Sequence, residues 1–393
     1  MHSCVIRLKD EDQMEKKPTV MVVGTRGFPG IQGGVETHCQ ELYPRLAREG
    51  CNVVVFRRTP FLGQDVSRSY HGVSFRDLWC PRSKYLEAIF HTTLGVLQAA
   101  LEGPDLVHIH AVGPALCTPL ARLLGLRVVV TSQGADYRRP KWGWLARRVM
   151  KLGEKWAARY AHRLIVVGEH IRRRMKKEYG AEATVIPNGV KIPHRPIGDD
   201  LVKQWGLEPG KYVFALGRFE EEKGFDHLLD AFAGLDVDWN LALAGDAQHA
   251  SDFSRTLKSR ARRSDRIVYT GVVKGKALDQ LFDNCGLFVL PSHHEGLPLV
   301  LLEALSYGCS VLVSDIPACR MIPLPEKRYC PDGDVPRWRK KMEYWIRHGI
   351  DEGEKRSNLR MLEETFNWNI IAERTMELYR EAMGGDPTGP SRS

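Results

Sequence analysis

Two carboxylates eight positions apart, Glu295 and Glu303, are the residues whose type and spacing most clearly suggest chemistry. Pro298 lies between them and can occupy the first turn of a helix, where its missing backbone N–H does no harm. Glu303 would then lie about two turns into an apolar helix, where an unpaired carboxylate is costly. The free N–H groups and positive dipole at the start of that helix suit a phosphate. The carboxylates could therefore hold sugar hydroxyls on either side of a diphosphate, or they could be a salt-bridged structural acid and an ordinary loop acid.

A second charged group lies in the loop 217–224, directly after a predicted strand. Arg218 and Lys223 are close enough in this loop to hold one phosphate group between them. Arginine would supply a bidentate fork and lysine a mobile point charge. Because three acids occupy 220–222, a surface loop with local ion pairs is the alternative interpretation.

A glycine-rich loop, 24–34, follows the first predicted strand and precedes a helix expected over about 36–49. Glycine lets the backbone approach a ligand closely, and a helix N-terminus favours an anion. NAD-binding domains use the same arrangement, so the loop alone does not identify its ligand. The G-x-G-x-x-G spacing is absent, which weakens the dinucleotide interpretation.

The elements that must position these loops alternate between strand and helix, which predicts α/β units with parallel sheets. The turn-rich segment 187–196 interrupts the alternation and is the best linker candidate. Two such units with facing crevices predict a site between domains. The predicted strands are 19–23, 52–56, 105–110, 127–131, 163–167 and 183–186, then 212–216, 239–244, 267–269, 287–290 and 310–314.

We therefore expect a first domain at 18–190 and a second at 197–365, followed by a closing helix that ends near 383. The segments 1–17 and 384–393 are expected to be disordered.

Composition is that of a globular protein, with 393 residues, 43% hydrophobic and 27% charged. No apolar run is long enough for a transmembrane helix or a signal peptide, so we expect a cytoplasmic protein. The nine cysteines form no C-x-x-C pair, which argues against a zinc site and fits free thiols in a reducing compartment.

The net charge of +9 is concentrated in the segment 138–177, which has fourteen basic residues against two acids, Glu154 and Glu169. Tryptophans are interleaved at 142, 144 and 156. Such a surface could dock on anionic lipid headgroups at the inner face of a membrane, or it could be a solvated helix face. It could also bind nucleic acid, but no nucleic-acid motif supports that interpretation.

The loop Pro-Ser-His-His-Glu-Gly and the helix that follows it, over 291–308, resemble the E-x7-E element of the retaining glycosyltransferases of family 4. The Gly-Arg-x-x-x-x-Lys-Gly loop resembles the diphosphate clamp of that family. Gly33 and Gly34 resemble its first-domain loop next to the diphosphate and acceptor. The resemblance implies the GT-B fold, in which two Rossmann-like domains enclose a cleft and the last helix, from about 366, packs back on the first domain.

The resemblance also implies roles at the donor site. Glu303 would bind the nucleotide ribose, and Glu295 would contact the transferred sugar. Arg218 and Lys223 would stabilise charge on the leaving diphosphate. The remaining implied donor contacts are the backbone N–H groups of Gly296 and Leu297, and Val273 near the base.

The acceptor side carries three further candidates, His110, Gln133 and Asp136. We expect His108 and His110 to point to opposite faces of their strand, so that one could reach the cleft, although a lone strand histidine is more often structural. The segment that begins at 131 resembles the T-x-H-G-x-D segment of the family, but Gln133 stands at the histidine position. Glutamine cannot titrate and so cannot be a general base, although it can hydrogen-bond a sugar hydroxyl. Asp136 could bind the acceptor or cap a turn.

The resemblance thus implies a retaining hexosyltransferase that uses a nucleotide diphosphate sugar, needs neither metal nor cofactor, and acts on a glycan or lipid-linked acceptor in cell-surface polysaccharide biosynthesis. Two alternatives stay open. One is a non-catalytic nucleotide-sugar-binding protein of glycosyltransferase ancestry, and the other is a Rossmann-type epimerase or oxidoreductase.

Overall fold

Two β-sheets, each covered by helices, form the framework of the chain. The computed structural model describes residues 17–31, 33–63, 67–83, 86–134, 143–195, 197–247 and 250–384. Most of the predicted segments 1–17 and 384–393 lies outside these residues, as do Asp136 and the first part of the basic segment.

The first sheet has eight strands in the order β3-β4-β2-β1-β5-β6-β7-β8. Its strands are parallel except for β3, which pairs antiparallel with β4 at the edge. The central strands are buried along their whole length, as in sheets covered on both faces. The strands are β1 (Thr19–Val23), β2 (Asn52–Arg58), β3 (Ser69–Tyr70), β4 (Val73–Leu78), β5 (Leu106–His110), β6 (Val128–Ser132), β7 (Arg163–Val166) and β8 (Thr184–Val185).

The second sheet has six parallel strands in the order β11-β10-β9-β12-β13-β14. The strands of both sheets are short buried runs of β-branched and other apolar residues. Because neighbouring parallel strands need a crossover connection, the chain alternates between strand and helix. The predicted α/β class with two parallel-sheet domains is therefore confirmed. The strands are β9 (Tyr212–Leu216), β10 (Asn240–Ala244), β11 (Ile267–Gly271), β12 (Leu287–Leu290), β13 (Val311–Ser314) and β14 (Tyr329–Cys330).

Five α-helices belong to the first half of the described chain and eight to the second. Their bounds are α1 (Gly34–Arg48), α2 (Glu87–Glu102), α3 (Thr118–Leu123), α4 (Trp144–Tyr160), α5 (Glu169–Tyr179), α6 (Asp200–Gln204), α7 (Phe225–Ala233), α8 (Asp252–Arg262), α9 (Lys276–Asp283), α10 (Leu299–Ser306), α11 (Val335–His348), α12 (Glu352–Thr365) and α13 (Trp368–Met383).

The closing helix α13 returns to the first sheet. Its start is fixed because the Asn367 side chain accepts a hydrogen bond from the backbone of Asn369 (2.9 Å), and Val190 N–H donates to Phe366 (2.8 Å). Its buried face, which includes Trp368 and Tyr379, packs in the same hydrophobic cluster as α1 and strands of the first sheet. The chain thus crosses twice between its two halves.

No helix among the described residues is both long enough and apolar enough to cross a membrane.

Candidate functional site

An ion pair joins the two charged loops of the second domain. Lys223 Nζ lies 2.7 Å from Glu295 Oε1, and both side chains are largely shielded from solvent. The Ser292 hydroxyl donates a second hydrogen bond to the same oxygen (2.8 Å). Lys223 ends the loop after β9, and Glu295 lies in the loop between β12 and α10. Loops at the carboxyl ends of adjacent parallel strands meet at one edge of the sheet, which explains how residues so far apart in sequence come together.

Backbone contacts hold these two loops in register. The N–H of His293 donates to the carbonyl of Glu222 (2.8 Å). Gly224 has a φ of +62°, and a Cβ there would lie 2.2 Å from the carbonyl oxygen of Pro291. Glycine is therefore required at 224 both for its left-handed conformation and for the close approach of the neighbouring loop.

Arg218 lies at the start of the same loop as Lys223. Its guanidinium is 3.7 Å from a carboxylate oxygen of Glu220 and 3.7 Å from one of Glu222. These distances are longer than hydrogen bonds, so the attraction is Coulombic and can yield to a better anionic partner. The described contacts thus join Lys223 to Glu295, whereas Arg218 lies in the loop of Lys223 and contacts the acids of that loop.

Glu303 occupies a different environment, two turns along α10. It has no ion-pair partner within the described part of the chain, and burial raises its pKa to about 7, with the nearby charge of Asp279 adding to the effect. The Tyr307 hydroxyl donates to Asp279 (2.7 Å) on the same side. The described contacts do not join Glu303 directly to the Lys223–Glu295 pair. Pro298 lies immediately before α10 rather than in its first turn, so the predicted helix begins one residue later than expected.

Gly296 forms the contact between the two domains at this site. A Cβ on Gly296 would lie only 2.0 Å from the carbonyl oxygen of Gln133, and one on Gly134 would lie 3.3 Å from the Gly296 Cα. Gly134 also has a φ of +135°. The backbone after β6 therefore crosses the start of the α10 loop at a distance that no larger residue permits. Leu297, next in sequence, is buried in the core.

Gln133 also ends a buried chain of polar side chains that sequence reasoning missed. Asn188 donates to Gln133 Oε1 (3.0 Å), and Asn188 Oδ1 lies 2.6 Å from His38 Nδ1. Because an amide oxygen only accepts, His38 donates through Nδ1 and keeps an acceptor at Nε2. Burial lowers the pKa of His38 to about 4, so the ring is neutral at pH 7. In the sequence Asn188 was part of a turn-rich linker, and nothing in its spacing connected it to His38.

Three polar atoms of this region are buried and have no hydrogen-bond partner among the described residues. They are His38 Nε2, His110 Nδ1 and Gln133 Nε2. Buried polar atoms are normally paired, and a group of orphans next to a domain junction is typical of a site that a polar ligand completes.

The expectation for the two strand histidines is wrong. Residues two apart in a strand lie on the same face, and His108 and His110 both contact the Tyr43 hydroxyl, at 2.9 Å and 2.5 Å. His108 also pairs with Tyr379 of α13 (2.6 Å) and with Thr131 (2.7 Å). Burial lowers the pKa of both rings well below the ordinary value, so both are neutral. His108 therefore fastens the closing helix to the sheet, and His110 lies buried behind the cleft.

The two glycines predicted in the first domain differ in their surroundings. Gly33 precedes α1 with a φ of +157°, and a Cβ there would meet the Glu36 carboxylate. Gly34, the first residue of α1, faces open space. Glu36 accepts a hydrogen bond from the backbone of Arg26 (3.0 Å), and its carboxylate therefore closes the glycine loop on itself.

A cleft of about 1400 Å³ separates the glycine loop from the second domain. Its charged lining in the first domain includes Arg26 and Arg58, which share the carboxylate of Glu87 at 2.7 Å and 3.2 Å. The segment Phe219–Glu222 lines the opposite side, so the loop that carries Arg218 and Lys223 forms part of the wall. Val273 is not among the residues that line this cleft, and it is half-buried against the core.

Models of two protein families match the two halves of the chain. Residues 32–192 match Glycosyltransferase Family 4, and residues 199–361 match Glycosyl transferases group 1. The boundary between the two matches falls in the turn-rich segment that separates the two sheets.

Individual relatives are similar at modest identity. Alpha-D-kanosaminyltransferase from Streptomyces kanamyceticus is 26% identical over 53% of this chain and 59% of that protein. UDP-Gal:alpha-D-GlcNAc-diphosphoundecaprenol alpha-1,3-galactosyltransferase from Escherichia coli is 29% identical over 54% of this chain and 58% of that protein. Each of these matches spans less than two thirds of the relative's length. Glycogen synthase from Mycobacterium tuberculosis is 25% identical over 93% of this chain and 95% of that protein.

Two solved structures share the fold. Sucrose-phosphate synthase from Thermosynechococcus elongatus has a TM-score of 0.80 at 20% identity and covers 94% of this chain and 100% of its own. Anabaena HepE in complex with UDP-glucose has a TM-score of 0.73 at 17% identity and covers 93% and 100%.

The half-buried carboxyl of Glu303 generates a prediction for stability. Its pKa of about 7 in the folded chain exceeds its ordinary value of 4.5, so the ionised carboxylate weakens the fold as pH rises through 7. Glu303→Gln should therefore raise the free energy of unfolding at pH 8 by up to about 3 kcal/mol, and the gain should vanish near pH 4.5. Urea denaturation across this pH range measures it. Glu373→Gln, an exposed acid on α13, is the control. A gain that does not change with pH would contradict this account.

Proposed function

The chain belongs to the glycosyltransferases whose two domains match family 4 and group 1, and from that premise we propose that it transfers a hexose from a nucleotide diphosphate sugar. The acceptor is a glycan or a lipid-linked saccharide, and the product serves cell-surface polysaccharide biosynthesis in the cytoplasm. The observation that carries the proposal is the Lys223–Glu295 ion pair, because the loop that holds Lys223 and Arg218 also lines the cleft between the domains through Phe219–Glu222.

The charged loops account for the departure of the nucleotide diphosphate. Negative charge builds on the leaving phosphate as the bond to the sugar breaks, and fixed cations and a helix N-terminus stabilise it without reorganisation. Arg218 and Lys223 are the cations, and the free N–H groups at Gly296 and Leu297 precede α10. In this proposal these groups do the work that a metal ion does in other transferases, so the transfer needs no metal or cofactor.

Glu295 and Glu303 would hold the two ends of the donor. Glu295 already has hydrogen-bonding partners on one oxygen, which fixes its orientation toward the transferred sugar. Glu303 is a half-buried carboxylate without a partner in the described chain, and ribose hydroxyls would supply one. Nucleotide binding would then favour the ionised form of Glu303 and lower its pKa.

The acceptor hydroxyl would attack from the same face that the nucleotide leaves, giving retention of the anomeric configuration. The leaving phosphate would take the proton of the acceptor, since Gln133 cannot titrate and burial makes the His38 ring a weak base by lowering its pKa to about 4. The unpaired amide nitrogen of Gln133 would donate a hydrogen bond to a sugar hydroxyl. Closure of the domains around the glycine contact at Gly296 would exclude water and limit hydrolysis of the donor.

The cleft supports an amphiphilic acceptor. Its wall combines the Arg26 and Arg58 guanidinium groups with apolar side chains that include Phe61, Leu86 and Ile89. Trp144 and Leu145, at the start of α4, also line it although both are largely exposed to solvent. A charged head group and an apolar chain would both find partners here. The names of two similar proteins fit a uridine diphosphate donor, one a UDP-Gal galactosyltransferase and one a structure with UDP-glucose.

Replacing the clamp cations tests the proposed mechanism. A thermal-shift screen of nucleotide diphosphate sugars identifies the donor, since a selective ligand stabilises the fold by mass action. With that donor, Lys223→Met and Arg218→Met should each lower kcat by about 100- to 1,000-fold, as loss of a preorganised charge does elsewhere. Lys211→Met, an exposed lysine of the same domain, should leave kcat unchanged. Anomeric configuration of the product, read by NMR, tests retention.

The same assay separates the alternatives. Tight donor binding without transfer or hydrolysis would indicate a non-catalytic sugar-nucleotide-binding protein. A change in nicotinamide absorbance with substrate would indicate a Rossmann-type oxidoreductase. Full activity of both clamp variants would contradict the proposed role of the cations.

We also propose that α4 lies on an anionic membrane. Trp144, Leu145 and Leu152 are exposed apolar residues of this helix. Basic residues lie among them on α4 and continue on α5, so the two helices together present a cationic surface. Part of the predicted basic segment, 138–142, lies outside the described residues. The exposed basic residues of α4 are Arg147, Arg148, Lys151, Lys155 and Arg159.

Vesicle sedimentation tests this surface. Replacing Arg147, Arg148, Lys151 and Lys155 with Gln should weaken binding to phosphatidylglycerol vesicles at least about tenfold, since each cation near such a surface contributes about 1 kcal/mol. Raised salt should weaken the parent in the same way. The charge-matched control replaces four exposed cations of the second half with Gln, namely Lys203, Arg255, Arg337 and Arg347. Absence of vesicle binding by the parent would end the membrane proposal.

A further inference from the structure

Three side chains that commonly bind metals converge beside the two charged loops. Asp226 and His227 lie in the first turn of α7, and His293 lies in the loop between β12 and α10. One ligand atom from each lies within 4.8 Å of the other two. The imidazole rings of His227 and His293 have centroids 5.0 Å apart, and His227 Nε2 lies 3.9 Å from Asp226 Oδ2.

Two atoms of this cluster are poorly satisfied by the protein. Asp226 Oδ1 and His227 Nδ1 are buried and have no hydrogen-bond partner among the described residues. The side chains as a whole remain between 31% and 38% exposed, so an ion from solvent can reach them. Without an ion, the main stabilisation of the Asp226 carboxylate within this cluster comes from its position near the positive end of α7.

A fourth residue orients one of the histidines. His293 Nδ1 lies 2.5 Å from Asp332 Oδ1. When the carboxylate accepts this hydrogen bond, Nδ1 carries the proton and Nε2 presents its lone pair. A carboxylate that fixes the tautomer in this way is the usual partner of a histidine that binds a metal.

We propose that Asp226, His227 and His293 bind one divalent transition-metal ion, with Zn²⁺ the best match. Two imidazoles and one carboxylate suit zinc and its neighbours rather than Mg²⁺ or Ca²⁺, which prefer oxygen. Ligand atoms that lie about 2.1 Å from a tetrahedral ion are about 3.4 Å apart. Side-chain rotations that move the ligand atoms by roughly an ångström would therefore complete the site. Water would occupy the fourth position. The scattered cysteines that argued against zinc do not take part.

The ion would connect the loops that carry the Lys223–Glu295 pair. Asp226 follows Lys223 by three residues, and His293 precedes Glu295 by two. Metal binding would therefore restrain both partners of the ion pair from one side. This consequence rests on the proposed function, whereas the metal site itself does not, and the ion takes no part in the transfer.

Cobalt(II) titration of the full chain tests the site. The untagged protein is first treated with chelator, and visible d–d absorption then reports the bound cobalt and its geometry. Calorimetry with ZnCl₂ gives stoichiometry and affinity. We expect one ion per chain, and loss of the absorption bands in His227→Ala and in His293→Ala. Asp332→Asn should weaken binding about 10- to 100-fold while keeping the bands, because it removes only the partner of a ligand.

His348→Ala removes a histidine from the end of α11, outside the cluster, and should bind like the parent. Circular dichroism of each variant confirms folding. Absence of cobalt bands in the parent, or bands retained in both His227→Ala and His293→Ala, would overturn the proposal. No nucleotide sugar is present in this experiment, so its failure would leave the proposed transferase activity untouched.

Discussion

The ion pair between Lys223 and Glu295 is the contact on which the organisation of the site depends. It joins loops that follow two adjacent parallel strands, and it places a cation and a carboxylate where the helix α10 begins. Both side chains are sheltered, so their attraction is stronger than that of a surface pair and their positions are fixed before a ligand arrives. Preorganisation of this kind is what electrostatic catalysis requires, since the charges need not rearrange as the reaction proceeds.

The second constraint is steric. Gly296 and Gly134 bring the backbones of the two domains together at a distance that excludes a Cβ, and this contact sets where the first domain meets the donor loop. Around this contact, the hydrogen-bonded side chains of His38, Asn188 and Gln133 fill the first-domain side with polar groups. The closing helix holds that side in place through Tyr379 and its bond to His108. A rigid junction is thus built from glycine geometry and buried hydrogen bonds.

The sequence predicted the strands other than β3, β4 and β14, together with the closing helix and the charged loops, because each has a local signal such as an apolar run, a glycine or a proline. Three-dimensional pairing has no such signal. The bond between His38 and Asn188 joins residues 150 positions apart, and the edge strands β3 and β14 have only two residues each. His108 and His110 lie on the same face of β5, because residues two apart in a strand share a face, and not on opposite faces as predicted. The environment of Glu303 depends on Asp279, from another helix, and could not be predicted either.

The central claim is that Lys223 and Glu295 act together on one bound nucleotide sugar, and a double-mutant cycle on donor affinity tests it most directly. Calorimetry would compare the parent with Lys223→Met, Glu295→Gln and the double variant. The account predicts that both single variants weaken binding and that their effects are coupled by about 1 kcal/mol or more, as expected for residues in one network. Effects that add within about 0.5 kcal/mol, or single variants that bind the donor like the parent, would contradict it.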